Sequence, residues 1–247
     1  SGLLDNYSSS PKNAHARTFL RLPSFIYRTR EQAFGFHIAA RSDISLRNVS
    51  ADLAKFSYEG LGYTPLGGIP ITISPFRVGG MTWAEIGLSY GKILPKGNDR
   101  IILAGTASFV NAFQGLYLIN NGIELSVNND TTLTIQNIDA EVGFALPTSS
   151  GEALTITGRG IVLNLGFCFV KNPYRGVFEK SKTVDRKRYD YRLGVSVIDA
   201  GIVSFTKNSY LYDINSSSTT FGNFNSVTPK GVNGMDSLIR NTFITGA

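Results

Sequence analysis

Few side chains in this sequence are equipped for covalent or metal chemistry. Its 247 residues include two histidines, His15 and His37, and one cysteine, Cys168. A nucleophilic site needs a Ser, Cys or Thr beside a base that a third group orients. Both histidines fall within the first 40 residues, and the one G-x-S-x-G spacing, GLSYG at 87–91, lies inside an alternating stretch and not at a strand-to-helix turn. Zinc sites draw on several Cys and His at close spacing, which these three residues do not supply. The glycines at 67–68 and 158–160 are isolated and form no phosphate loop or dinucleotide fingerprint. A carboxylate pair of Glu85 with Asp43 or Asp190 comes nearest to acid–base chemistry, yet nothing in the spacing makes them meet. The residues therefore predict a non-enzyme with no catalytic residue, metal or cofactor.

Charges set among small residues, on one side of long alternating stretches, are more informative. In AFGFHIAARSDISLRN (residues 33–48), Phe34, Phe36, Ile38, Ala40, Ser42, Ile44 and Leu46 share one face of an extended strand. Gly35, His37, Ala39, Arg41, Asp43, Ser45 and Arg47 share the other. In MTWAEIGLSYGK, Ala84, Ile86, Leu88 and Tyr90 oppose Trp83, Glu85, Gly87, Ser89 and Gly91. Further on, Ile161, Leu163, Leu165, Phe167 and Phe169 oppose Val162, Asn164, Gly166, Cys168 and Val170. Tyr189, Tyr191, Leu193, Val195 and Val197 oppose Asp190, Arg192, Gly194 and Ser196. A soluble sheet would bury the apolar faces in a core; an outer-membrane barrel would turn them to lipid and the others to a wet lumen. The lumen-facing candidates are then His37, Arg41, Asp43, Arg47, Trp83, Glu85, Asn164, Asp190 and Arg192. They pair across the interior, because an unpaired buried charge is costly, or they contact water or a solute. Trp83 is a stacking platform or a packing wedge.

Composition narrows the choice. Charged residues make up 17% of the chain, below the roughly 25% of ordinary soluble domains. No run reaches the ~18–20 apolar residues of a membrane helix, so any bilayer crossing must use a closed barrel. The alternating stretches 33–47, 81–92, 161–170 and 189–198 match the ~9–11 residues of a tilted membrane strand. Tyr27, Tyr90, Tyr189 and Tyr191 stand near strand ends, where an interfacial girdle would lie. Between Lys171 and Arg192 are eight basic and three acidic residues, +5 of the net +6. This basic loop, with Lys180, Lys182, Arg186, Lys187 and Arg188, is either solvated or a contact for lipopolysaccharide phosphates or an acidic partner. No aromatic or recognition-helix pattern accompanies it, so nucleic acid is not expected.

The elements that hold these residues follow from turn chemistry. Residues 16–27 read as a strand, 28–32 as a turn, and 33–47 as its hairpin partner. NVSADLAKFSYEGL reads as a helix over 50–61, capped by Ser50 with Asp52 in its first turn. Residues 62–76 are Pro- and Gly-broken, an edge or a loop. Strands are expected at 81–92, 101–113, on both sides of a hairpin near 128–131, at 153–170 and at 189–199. PKGNDR (95–100) reads as a turn, 216–234 as a loop, and MDSLIRNTF as a short helix. Ten to twelve strands without an internal repeat or linker predict one domain, 1–247.

NVSADLAKFSYEGLGYTPLGG, MTWAEIGLSYGKIL and YDYRLGVSVIDAGIVSFTKN, in this order over about residues 16–210, resemble a Bacteroidota outer-membrane family of unknown function, distantly similar to PorV- and FadL-type barrels. The resemblance implies an antiparallel transmembrane β-barrel with one short helix, without assigned catalytic residues, in the bacterial outer membrane. Its contacts would be outer-membrane lipid, with lipopolysaccharide and a membrane-complex protein as further candidates. The early strands and final aromatic strand of the pattern are missing, which implies part of a larger barrel. A channel, a transporter or a subunit of an outer-membrane assembly is the expected function. A soluble secreted β-rich binding module is the alternative.

Overall fold

The computed structural model describes residues 10–51, 53, 70–129, 132–148, 154–171, 189–221 and 231–244. They contain ten strands in one antiparallel sheet. These are β1 (Lys12–Arg21), β2 (Phe25–Arg28), β3 (Gln32–Val49), β4 (Pro70–Ile73) and β5 (Phe76–Lys96). β6 (Asp99–Val127), β7 (Leu133–Ala145), β8 (Gly158–Lys171), β9 (Tyr191–Phe205) and β10 (Ser209–Phe221) complete it. Helix α1 (Gly231–Ile239) follows and runs into a π-helical turn, Arg240–Ile244. The architecture is all-β with one short helix. Among the described residues the sheet does not close: β1 and β2 border only β3, and β9 borders only β8.

A long hairpin is the spine. β5 and β6 span 21 and 29 residues and meet at a turn where Gly97 takes φ 62°. At ~3.3 Å per residue, β6 extends roughly 95 Å, about three times a bilayer's hydrocarbon thickness. The far edge of β6 is shared by two strands. Arg100–Ala112 pairs with β8, and Gly115–Val127 pairs with β7. The sheet therefore forks into a tip wing, extended by β8 and β9, and a base wing, extended by β7 and β10. Phe113 is the extra residue of a bulge opposite Thr82/Trp83 at the fork. Thr157, fully buried, clamps it. Its N–H donates to Ala112 O (2.9 Å) and its hydroxyl to Phe113 O (2.9 Å), while its carbonyl accepts from Thr206 and Lys207 N–H.

Several boundaries differ from those the sequence suggests, each for a local reason. The strand expected over 16–27 is two strands: Pro23 cannot donate to the ladder, and β1 and β2 meet β3 on either side of it. The turn expected over 95–100 shrinks to Gly97 and Asn98, because Lys96 and Asp99 already pair. Conversely, the strand expected at 101–113 continues to Val127, its alternation interrupted by a bulge at Asn121, while a second bulge on the same ladder, Gln136, lies on β7. Part of the stretch read as loop over 216–234 is strand, since β10 extends along the β7 edge through Thr219, Thr220 and Phe221. The strand read from 153 starts at Gly158. Of the helix read over 50–61, Ala51 and Leu53 are helical and Leu53 N–H donates to the Ser50 hydroxyl at 3.2 Å; the rest lies outside the described residues. Asn48, at φ 61°, turns the chain out of β3 into it.

The base wing packs like a soluble domain. Ile73, Phe76, Leu125, Ile138, Phe144 and Tyr212 form a buried cluster, with Ile239 of α1 and Leu53 packed on it. A polar contact adds to this packing: Tyr212 donates its hydroxyl to Asp236, which also accepts from Arg240 Nε at 2.9 Å. These bonds, Tyr212's first and Arg240's next, hold the Asp236 carboxyl below the ordinary carboxylate range.

Candidate functional site

The two faces of the tip wing differ in what covers them. On the apolar face the side chains stand open: Leu88 is 67% exposed, Leu193 61% and Ile202 76%, with Phe34, Ile86, Leu165 and Phe167 also exposed. On the opposite face Ala39 and Val110 are fully buried, Glu85 is 2% exposed, and Ser108 and Trp83 are buried with them. The greasy side is uncovered and the polar side is closed.

Curling of the sheet closes it. β3 and β9 are four strand spacings apart in sheet order, about 19 Å if the sheet were flat, too far for side chains to meet. Yet Arg41 on β3 donates to Asp199 on β9, Nη1 to Oδ1 at 3.1 Å and to Oδ2 at 3.2 Å. The polar face is therefore concave, and its side chains reach across. Arg41 Nη2 also donates to Glu85 Oε1 at 2.8 Å, and His37 Nε2 lies 3.3 Å from that oxygen. Trp83 Nε1–H points to Glu85 Oε2 at 3.4 Å. The Arg41 guanidinium lies 5.1 Å from the Phe19 ring centroid and 6.0 Å from that of Trp83. Its Nε has no partner among the described residues.

Local backbone features place each member. Register sets Ala39 opposite Glu85, Arg41 opposite Trp83 and His37 opposite Gly87, so four functional groups converge on two strands. Gly87 is needed here. A Cβ on it would lie 2.0 Å from His37 Cε1 and 2.6 Å from Ser108 Oγ, so the imidazole occupies the space a side chain would take. Asp199 arrives through a bulge. The β8–β9 register slips between Leu163/Ala200 and Leu165/Val197, and Asp199 adopts φ 56°. Asn164 Oδ1 accepts its N–H at 2.6 Å. The bulge sends Ile198 outward and Asp199 inward, the re-aiming that bulges serve elsewhere.

Chemically, this is a neutralising cluster. Glu85 and Asp199 share one guanidinium, with Trp83 and His37 completing the Glu85 shell. Ser108, His37 and Glu85 are the residue types of a hydrolase triad, but Ser108 is 1% exposed and its hydroxyl bonds to neither. No group of three metal-ligating side chains occurs among the described residues.

Of the nine residues singled out from sequence, His37, Arg41, Trp83 and Glu85 come together. Asn164 sits beside them as a backbone brace. Asp43 is separate, accepting from Arg17 Nε at 2.7 Å with His15 at 3.5 Å, so it forms no carboxylate pair with Glu85. Arg47 lies exposed opposite Arg77. Asp190 is exposed near the start of β9, and Arg192 donates to Cys168 Sγ at 2.9 Å. Lys180, Lys182, Arg186, Lys187 and Arg188 lie outside the described residues. Sequence reasoning missed Asp199 and Phe19. The first had a signal: exposed aliphatics fall at 193, 195 and 197 and then at 198 and 202, a phase slip that marks a bulge.

No curated protein and no solved structure matches the chain. A family model does, over residues 3–245. The chain belongs to a family of unknown function, DUF5723.

Proposed function

We propose that this chain forms the membrane-spanning wall of an outer-membrane β-barrel whose interior is filled, and that it serves as a non-enzymatic scaffold or assembly subunit. The uncovered apolar face carries the proposal. More than ten large apolar side chains stand exposed there; about ten at roughly 100 Å² each already expose on the order of 1,000 Å², above the ~300–600 Å² patches of soluble monomers. At about 25 cal/mol per Å², moving that surface from water to hydrocarbon stabilises the protein by roughly 25 kcal/mol. Each strand of the belt carries it for about the length a tilted membrane strand needs. A channel would want an open concave face, whereas here that face is occupied by Trp83, Glu85, Val110 and their neighbours. The covered core of the base wing is what a soluble binding module would also have; it occupies the end away from the belt and fits a part standing clear of the bilayer.

Reconstitution tests both halves. Folding should require detergent or lipid and give a heat-modifiable gel band, and planar bilayers should show no stepwise current. A monodisperse, folded, detergent-free monomer would remove the membrane reading. Unitary ion currents would remove the scaffold reading in favour of a channel.

A further inference from the structure

The tip end of the sheet carries a second pattern, in the order of side chains along the exposed face. On β5 that face reads Leu88, Tyr90, Lys92; on β8 it reads Phe167, Phe169, Lys171. In both, aliphatic or aromatic belt gives way to an aromatic and then to an ammonium within four residues. The aromatics join laterally. Phe34 and Tyr90 have ring centroids 5.2 Å apart, Phe169 and Tyr191 6.0 Å, and Phe25 and Phe36 5.6 Å. Register sets Lys92 across from Leu103 and so Phe167, four residues short of Lys171 over two strand spacings. Strands tilted by roughly 35–45° stagger residues at one height by about two to three positions over two spacings, which covers most of this offset. Tyr90 and Phe169 are offset by the same amount, so the two aromatics and the two lysines form parallel tiers.

Topology adds charge above them. The β2–β3 and β5–β6 turns and the ends of β8 and β9 all lie at this end. Their described residues carry Arg28, Arg30, Lys92, Lys96, Arg100, Lys171 and Arg192 against Glu31, Asp99 and Asp190, seven to three. The other described residues hold nine basic and eight acidic side chains. Lys171 is engaged by Asp99 at 3.3 Å and Arg192 by Cys168. Arg28, Arg30, Lys92, Lys96 and Arg100 form no ion pair among the described residues.

We infer that this rim binds the phosphates of anionic lipid headgroups and so fixes which end of the sheet meets a negatively charged leaflet surface. The inference rests on the membrane reading. If the belt lies in hydrocarbon, the aromatic tier falls at the interface and the cations a residue or two beyond, in the phosphate layer. Lys92 and Lys171 point out of the lipid-facing side and reach the headgroups by extending along the apolar surface.

Electron spin resonance with spin-labelled lipids tests the rim in the folded, reconstituted chain. Labelled phosphatidylglycerol and phosphatidylcholine are compared as probes of the motionally restricted lipid shell. Wild type should prefer phosphatidylglycerol by about fivefold, the weight of one or two interfacial cations, and the preference should shrink with added salt. The triple variant Lys92→Gln, Lys96→Gln, Arg100→Gln should lose most of it. A restricted shell with no headgroup preference, or one insensitive to salt, would overturn the rim while leaving the membrane reading in place. No restricted component at all would overturn both. The salt titration on wild type keeps the test decisive if the triple variant fails to fold.

Discussion

Replacing Arg41 by methionine should be among the most damaging single changes in this protein. The substitution keeps the aliphatic stem and removes the one cation shared by Glu85 and Asp199. Glu85, 2% exposed, would keep only the longer contacts of His37 at 3.3 Å and Trp83 at 3.4 Å. Stranding one member of a buried pair costs about 3–5 kcal/mol, a third or more of an ordinary domain's stability. Asp199 is a third exposed, so Asp199→Asn should cost about 1 kcal/mol or less. The double variant Arg41→Met, Glu85→Gln removes both charges, keeps a partner for the Trp83 N–H, and should return to within about 1 kcal/mol of wild type. Urea unfolding in lipid vesicles, followed by the fluorescence of Trp83, measures all three; Trp83 is the chain's one tryptophan and touches the cluster. With the Glu85→Gln single measured alongside, the cycle closes: if Arg41→Met costs less than about 1 kcal/mol, or if the double variant costs the sum of its two singles, the buried pair is not what holds the concave face.

Three other outcomes follow from the geometry. Leu88→Lys should cost about 2–4 kcal/mol by the same unfolding measurement if its face meets hydrocarbon, whereas a solvated surface would register about 0.5 kcal/mol or less. Gly87→Ala should destabilise by about 1–3 kcal/mol by forcing the His37 ring off its partner strand, and His37→Ala in the same chain should recover most of that loss. Because the folded-state pKa of Asp236 is depressed, its bonds to Tyr212 and Arg240 stabilise α1 docking above the ordinary carboxylate range and lose that contribution as pH falls below that range through the depressed folded-state value. Protection of the α1 amides against hydrogen exchange, taken relative to the intrinsic rate at each pH, should fall at acid pH in wild type, and Asp236→Asn should show that lower protection already at neutral pH with a flatter acid limb.

Much of the tip wing was legible in the sequence because a period of two leaves little choice. Once Phe34 and His37 are on opposite faces, every residue from Ala33 to Arg47 is assigned, and the bulge-free β3–β5 register carries the assignment to Trp83 and Glu85. Asp199 escaped because a bulge breaks the counting rule that found the others. Asp190, just before β9, and Arg192, on it, have the concave parity but lie too near the tip. β10 was hidden for a different reason: Ser216, Ser217, Thr219 and Thr220 have turn chemistry locally, and only the edge that β7 presents makes them a strand. The fork at Thr157 had no local signal. One Thr whose N–H and hydroxyl serve β6 while its carbonyl serves the β9–β10 connection is a tertiary fact.

The outermost strand, β9, bears on how large the finished structure must be. Fifteen residues long, it is ladder-bonded on one side, and along its other side about half its amides and carbonyls point away from the sheet. Water would solvate them; oil would charge several kcal/mol for each. If the proposed membrane reading holds, β9 would have to meet another strand, and whether that neighbour is β1 with β2 or a newcomer would set the circumference of the cylinder.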